Sequence, residues 1–243
     1  EGFVASGRRW FLMATQLAVV MQLLAGHFNL AFITLLAIVM VAPLRLVLSE
    51  RSQGQPALRL TQIAIVLLLS CGLAAIQLVP SWELKSRSQR SSAELTGQKI
   101  GYGSIPWSYF AQSIRPWDFY PHVKEPEFHK KHFGDRNTNK VEAHLYFGLV
   151  PLGLAVIGIA VCVLNAVGFM KTRQSRGALP WLVIGVLSLL LTQGWWTPWA
   201  SHLPGFGYFT GPGRYGLLVQ MAVSVLAALG LRGVGLLRRS LRG

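Results

Sequence analysis

What most constrains this chain is a series of apolar runs, each close to the length that crosses a bilayer, interrupted by one long polar stretch from Pro80 to Ala143. A helix rises 1.5 Å per residue, so ~20 apolar residues cross a hydrocarbon core of ~30 Å. Inside that core no water pairs with backbone N–H and C=O groups, which leaves helices and closed barrels as the spanning structures. Runs this long and this apolar read as helices. The expected fold is therefore all-α, a polytopic integral membrane protein of about six transmembrane helices. Residues 1–243 form a single transmembrane domain on this reading, with one large extracytoplasmic loop, 80–143, inserted between the third and fourth helices.

Composition supports it. Hydrophobic residues make up 52% and charged residues only 13%, with a mean hydropathy of +0.43, whereas soluble domains carry about 25% charged residues. The chain opens on Glu1 with no charged n-region and cleavage site ahead of the first apolar run, so it reads as an internal fragment of a longer chain. Its net charge of +14 comes from 23 Lys and Arg against 9 Asp and Glu. These cations gather at span ends and in the loop, where topology and lipid headgroups account for them, and no nucleic-acid partner is expected. Cys71 and Cys162 lie inside apolar runs and give neither a disulfide framework nor a metal spacing.

Trp10–Ala25 and Phe28–Leu48 are the first two runs, separated by Gly26-His27-Phe28-Asn29. Gly26 suits a left-handed position after a helix end, and Asn29 suits the cap of the next helix. A third run, Leu58–Val79, is prolonged into the loop by Ser81–Arg90. The fourth, fifth and sixth are expected near His144–Leu164, Trp181–Leu191 and Tyr215–Leu231. Arg8, Arg9, Arg45, Arg51, Arg59, Lys171, Arg173, Arg176 and the C-terminal arginines all fall on one side of such an arrangement. The positive-inside rule makes that side cytoplasmic, together with both ends of the fragment. Trp10, Trp82, Trp107, Trp195, Trp196 and Trp199 sit near span ends, as interfacial aromatics do.

Within the loop, Pro106 and the spacing of Trp107, Phe110 and Ile114 predict a short amphipathic helix on the membrane surface, stopped by Pro116. No periodicity marks Trp117–Lys140, and no element is expected there. His129 and His132, with Glu125, Glu127 and Asp135 nearby, read either as a solvated loop face or as a weak metal set. No cofactor is called for, and a divalent metal is left open. Glu142, His144 and Tyr146 lead into the fourth span and are candidates to line a cavity. Gln22, Gln77, Gln193 and Gln220 fall in or near spans, where interhelical hydrogen bonding is the default role.

Two places carry candidate chemistry. Arg214 follows Gly211-Pro212-Gly213 at the head of the sixth helix, where free N–H groups favour an anion and a guanidinium can clamp a phosphate. It reads equally well as a cation reaching up to the headgroups. Glu83 and Arg87 are spaced for an intrahelical ion pair. The functional alternative has Glu83 as a base toward an acceptor hydroxyl, or orienting Arg87 and Arg90 toward a phosphate.

Four ordered motifs add a resemblance: the turn Gly26-His27-Phe28-Asn29, the segment Ala74–Leu84, the run Tyr146–Leu152, and Leu203–Phe209 leading to Pro212-Gly213-Arg214-Tyr215. In this order they resemble the YfhO family, bacterial polytopic membrane proteins related to the GT-C class of glycosyltransferases, over nearly the whole chain. The resemblance implies an enzyme of the bacterial cytoplasmic membrane that moves a sugar from a polyprenyl-phosphate donor to an extracytoplasmic acceptor such as a cell-envelope polymer. It implies a catalytic acid in a first outer loop upstream of these residues, and it adds His27 and Asn29 to Arg214, Arg87 and Arg90 as substrate-binding candidates. The family turn commonly reads Gly-His-Pro-Gln, so Phe28 and Asn29 are departures, and an arginine often found before Arg214 is replaced near Thr210 and Gly211. The rival expectation is a non-enzymatic membrane protein, either a lipid or polymer transporter or a scaffold subunit. Its partners would be the bilayer and neighbouring subunits.

Overall fold

The computed structural model describes residues 2–48, 55–87, 103–119, 125–133, 144–166, 178–200, 202–203, 206 and 211–240. Among them every regular element is a helix. The chain forms two compact units, Glu1–Leu95 and Thr96–Gly243.

In the first unit, α1 (Gly2–Ser6), α2 (Trp10–Leu24), α3 (Phe28–Leu48), α4 (Pro56–Leu73) and α5 (Ala75–Ser86) follow one another. Gly26 takes the left-handed conformation expected of it, with φ +76°, and turns α2 back into α3. Val19 and Leu23 of α2, Ala31 of α3 and the buried Ala74 form one core cluster, and Val4, Ala42 and Leu46 form a second. Gln22 Nε2 donates to Thr34 Oγ1 at 3.0 Å, the interhelical bond expected of an intramembrane amide. At the opposite end, Arg59 Nη1 donates to the Val4 carbonyl at 2.8 Å and ties the start of α4 to α1.

The third apolar run is not one helix. It breaks at Ala74, whose fully buried methyl packs in the core cluster, and resumes as α5 straight through Pro80. Only 6% of α4 is buried. Its Leu58, Ile65, Leu68, Leu69 and Leu73 face outward, as do Met13, Leu17 and Met21 along one side of α2. Surfaces of this kind are stable only against lipid or another apolar partner.

The second unit is built on α7 (Leu149–Ala166), α8 (Leu179–Thr192) and α10 (Gly216–Ser240), with the short helices α6 (Pro126–Phe133) and α9 (Thr197–Ala200). α10 packs along both α7 and α8. The α7–α10 crossing has its backbones in contact. A methyl group on Gly158 would collide with the Leu226 carbonyl oxygen, and one on Gly230 with that of Leu154. Ala155, Cys162 and Ala227 continue this small-residue seam. Close approach through small residues is how helices associate where no hydrophobic effect drives them together.

Among the described residues, three helices are long and apolar enough to cross a membrane: Phe28–Val47, Pro56–Leu73 and Pro212–Gly235. Trp10–Leu24, Leu149–Leu164 and Leu179–Thr192 are apolar but shorter. The chain thus has the character of a multi-pass membrane protein.

Two loop expectations are corrected. The Trp107 segment forms a 3₁₀ helix, Trp107–Ser113, followed by a second 3₁₀ turn, Pro116–Asp118, so Pro116 opens a turn where a stop was expected. In the three-residue period, Tyr109 and Gln112 share the buried face, while Trp107 and Ile114 are exposed. The stretch read as structureless contains α6. Its Phe128 and Phe133 join Tyr109 and Phe119 in an aromatic cluster, with Tyr109 and Phe119 edge to face at 5.2 Å between ring centroids.

Candidate functional site

The second unit holds Arg214 by a short chain of backbone contacts. Ile105 N–H donates to the Thr192 carbonyl at 2.8 Å, closing the end of α8, and Gly213 N–H donates to the Gly103 carbonyl at 3.0 Å. Residues 103–105 are buried and bridge the end of α8 to the head of α10. Gly194, at φ +76°, allows the approach, since a methyl there would lie 2.8 Å from Ser104 Cβ.

Pro212–Tyr215 is a 3₁₀ turn entered through Gly211 at φ 100°. Arg214 N–H donates to the Gly211 carbonyl at 3.1 Å. The first amides of this helix are therefore engaged, contrary to the expectation of free N–H groups, which leaves the guanidinium and the helix dipole as the features here that favour an anion. The Arg214 side chain is half-buried, and Phe206 stacks on Tyr215 beside it, with 6.0 Å between centroids.

Leu145 fixes this turn from the other side. Its N–H donates to Gln112 Oε1 at 3.1 Å and its carbonyl accepts from Ser113 Oγ at 2.9 Å, as a neighbouring strand would hold it. Its side chain meets the bare backbone of Gly216, where a methyl would lie 2.6 Å from Leu145 Cδ2. His144, the residue before, has its pKa lowered by burial. The run 144–148, without regular secondary structure, then precedes α7, which starts at Leu149, later than expected.

The remaining candidates belong to the first unit. Glu83 and Arg87 form the ion pair that their spacing suggested, at 2.6 Å, with both side chains more than half exposed. A pair this open contributes ~0.5 kcal/mol or less. His27 is exposed at the bend between α2 and α3. Asn29 does not cap α3, because the helix already begins at Phe28, which leaves His27 at the cap position. Asn29 lies instead in the first turn, 8% exposed, and its Nδ2 has no hydrogen-bond partner among the described residues. Gln77 packs on the same bend, its Nε2 3.6 Å from where a Gly26 Cβ would sit. Arg90, Asp135, Glu142 and the His129 side chain lie outside the described residues. Among the described residues no group of His, Cys, Asp and Glu is placed to hold a metal.

Sequence reasoning gave Gln193 only the default role of interhelical bonding. It is 2% exposed at the end of α8, with no hydrogen-bond partner for its amide among the described residues. No signal in the sequence separates it from Gln22, which has the expected bond. No protein-family model, curated protein or solved structure gives a significant match to this chain.

Proposed function

We propose that this chain is the central part of a bacterial membrane glycosyltransferase of the GT-C type, similar to the YfhO family, that moves a sugar from a polyprenyl phosphate to a cell-envelope acceptor outside the cytoplasm. On this reading all six apolar segments span the membrane, both ends of the chain are cytoplasmic, and 80–143 is extracytoplasmic. The shorter helices α2 and α8 rise about 22 Å and 21 Å, and local thinning of the bilayer accommodates them.

The observation that carries the reading is the anchored turn at Pro212–Tyr215. It presents a half-buried arginine at the head of an apolar helix, with its backbone position set by Gly103 and the close packing of Leu145. In displacement at the anomeric carbon, negative charge builds on the departing lipid phosphate. A fixed guanidinium in low dielectric favours that state over the ground state. Within the first unit, Glu83, Arg87, Arg90, His27 and Asn29 are proposed as substrate-binding candidates in their own right, and the base that deprotonates the acceptor belongs to residues upstream of this chain.

The test is sugar transfer from a polyprenyl-phosphate donor by the full-length protein in proteoliposomes. Arg214→Ala is expected to slow transfer about a hundredfold, and Glu83→Gln less. Transfer unchanged in both variants removes these assignments. No transfer by the parent protein favours the transporter or scaffold reading.

A further inference from the structure

Three arginines meet at one end of the first unit. α1 folds back on α2, since a methyl on Gly2 would collide with the Phe11 ring. Between them Gly7, at φ +70°, turns the chain into Arg8 and Arg9. Arg59, in the first turn of α4, reaches this turn directly. Its Nη1 donates to the Val4 carbonyl at 2.8 Å, and its Nη2 stands 3.5 Å from where a Gly7 Cβ would lie. Arg8 and Arg9 are exposed, and Arg59 is half-buried.

The helices put this charge where their dipoles disfavour it. Leu23 of α2 and Ala74 at the end of α4 share a core cluster. From there Arg9 lies fourteen residues back along α2 and Arg59 fifteen back along α4, so both stand about 21 to 22 Å from that cluster. α2 and α4 therefore pack side by side in one direction, with their positive ends together. Cations stabilise the opposite end of a helix. Among the described residues of the first unit the only carboxylate is that of Glu83, which pairs with Arg87 on α5, beyond Ala74. The positive-inside rule explains why arginines stay on one side of a membrane. It does not explain a guanidinium tied to the backbone beside two others at two positive helix ends. A bound anion does.

We propose that Arg8, Arg9 and Arg59 form a binding site for the phosphate of an anionic phospholipid, at the membrane face where α2 and α4 begin. A guanidinium has five N–H donors, and the bond to Val4 uses one of them and fixes the plane of the rest. The exposed Arg8 and Arg9 add charge-assisted bonds from the adjoining turn. The phosphate is that of a lipid and not of a soluble ester, because apolar surface continues straight from the cations. Trp10, Met13 and Leu17 are 56%, 70% and 64% exposed along one side of α2, and Leu58, next to Arg59, is 50% exposed. Acyl chains cover such a surface. The site lies wholly in the first unit and stands apart from the sugar-transfer reading.

The test is native mass spectrometry of the whole chain released from a neutral detergent. The probes are dioleoylphosphatidylglycerol, dioleoylphosphatidylcholine and glycerol 3-phosphate, at about 150 mM salt, where exposed charges more than ~8 Å apart are screened. The parent is expected to bind its first phosphatidylglycerol about tenfold more tightly than phosphatidylcholine, the effect of one charge-assisted hydrogen bond. Arg59→Gln, and separately Arg8→Gln combined with Arg9→Gln, should erase that preference. Arg232→Gln, which removes an exposed charge from the second unit, should keep it. Arg8 and Arg9 are exposed, so the double variant should melt with the parent when free of lipid, which shows that it is folded. Equal affinity of the parent for the two lipids, or a preference that survives in the double variant, overturns the inference. A loss in Arg232→Gln as large as in Arg59→Gln overturns it too, because net charge then suffices. Glycerol 3-phosphate bound as tightly as phosphatidylglycerol overturns the lipid assignment.

Discussion

His132 shows how a single side chain makes a loop sensitive to pH. Its ring lies among Phe128, Phe119 and Tyr109 at 4.5, 5.1 and 6.0 Å between centroids, and its Nδ1 is buried without a partner among the described residues. Desolvation, and then the adjacent Lys131, lower its pKa from the ordinary 6.5. A base whose pKa is lower folded than unfolded lets the unfolded state take up protons first. The stability it supports is therefore full above about pH 6.5 and is lost as pH falls from there through the folded value. His144, also lowered by burial, acts in the same direction. Protection of the residue 126–133 amides against hydrogen exchange, taken relative to the intrinsic rate at each pH, should therefore fall between pH 7.5 and 5, and His132→Phe should flatten the change. Protection that ignores pH in the parent protein would contradict this. At the residue scale, the sequence made Arg214 and the Glu83–Arg87 pair visible, because helix ends and i, i+4 spacing are local properties. Gln193 stayed hidden because an unmatched amide is a property of its surroundings.

At the scale of the element, the α7–α10 crossing is the contact most intolerant of change. Gly158 and Gly230 each face a carbonyl of the opposite helix, so an added methyl meets backbone that no side-chain rotation can clear. Gly158→Ala or Gly230→Ala should cost about 2 kcal/mol or more, in the range of overpacked cores. Gly153 has open space where its Cβ would lie, and Gly153→Ala should be neutral or slightly stabilising. Thermal unfolding in detergent compares the three, and equal melting temperatures would refute the seam. Apolar length located these helices well from sequence alone, and Gly26 located the first bend. The split at Ala74 was not legible, because the third run is apolar on both sides of it and the nearest proline, Pro80, lies inside α5. α6 escaped for the opposite reason. Its Phe128, His132 and Phe133 have helical spacing, but Lys130 and Lys131 dilute the pattern over only eight residues.

For the whole molecule, the central proposal is topological: that the chain crosses the membrane with the loop before α7 and the head of α10 facing away from the cytoplasm and the end of the chain inside. Among the described residues three helices have the length and apolarity to cross, and the shorter apolar helices carry the rest of the proposal. The proposed orientation rests on the distribution of arginines, a signal written in the connectors and not in the packing. The most direct measurement is labelling of single cysteines by a membrane-impermeant maleimide in intact cells, with Cys71 and Cys162 replaced by serine and one cysteine introduced at Tyr120 or at Gly243. The account predicts that Tyr120→Cys is labelled in intact cells and Gly243→Cys only after permeabilisation. Labelling of both sites to the same extent before permeabilisation would contradict it.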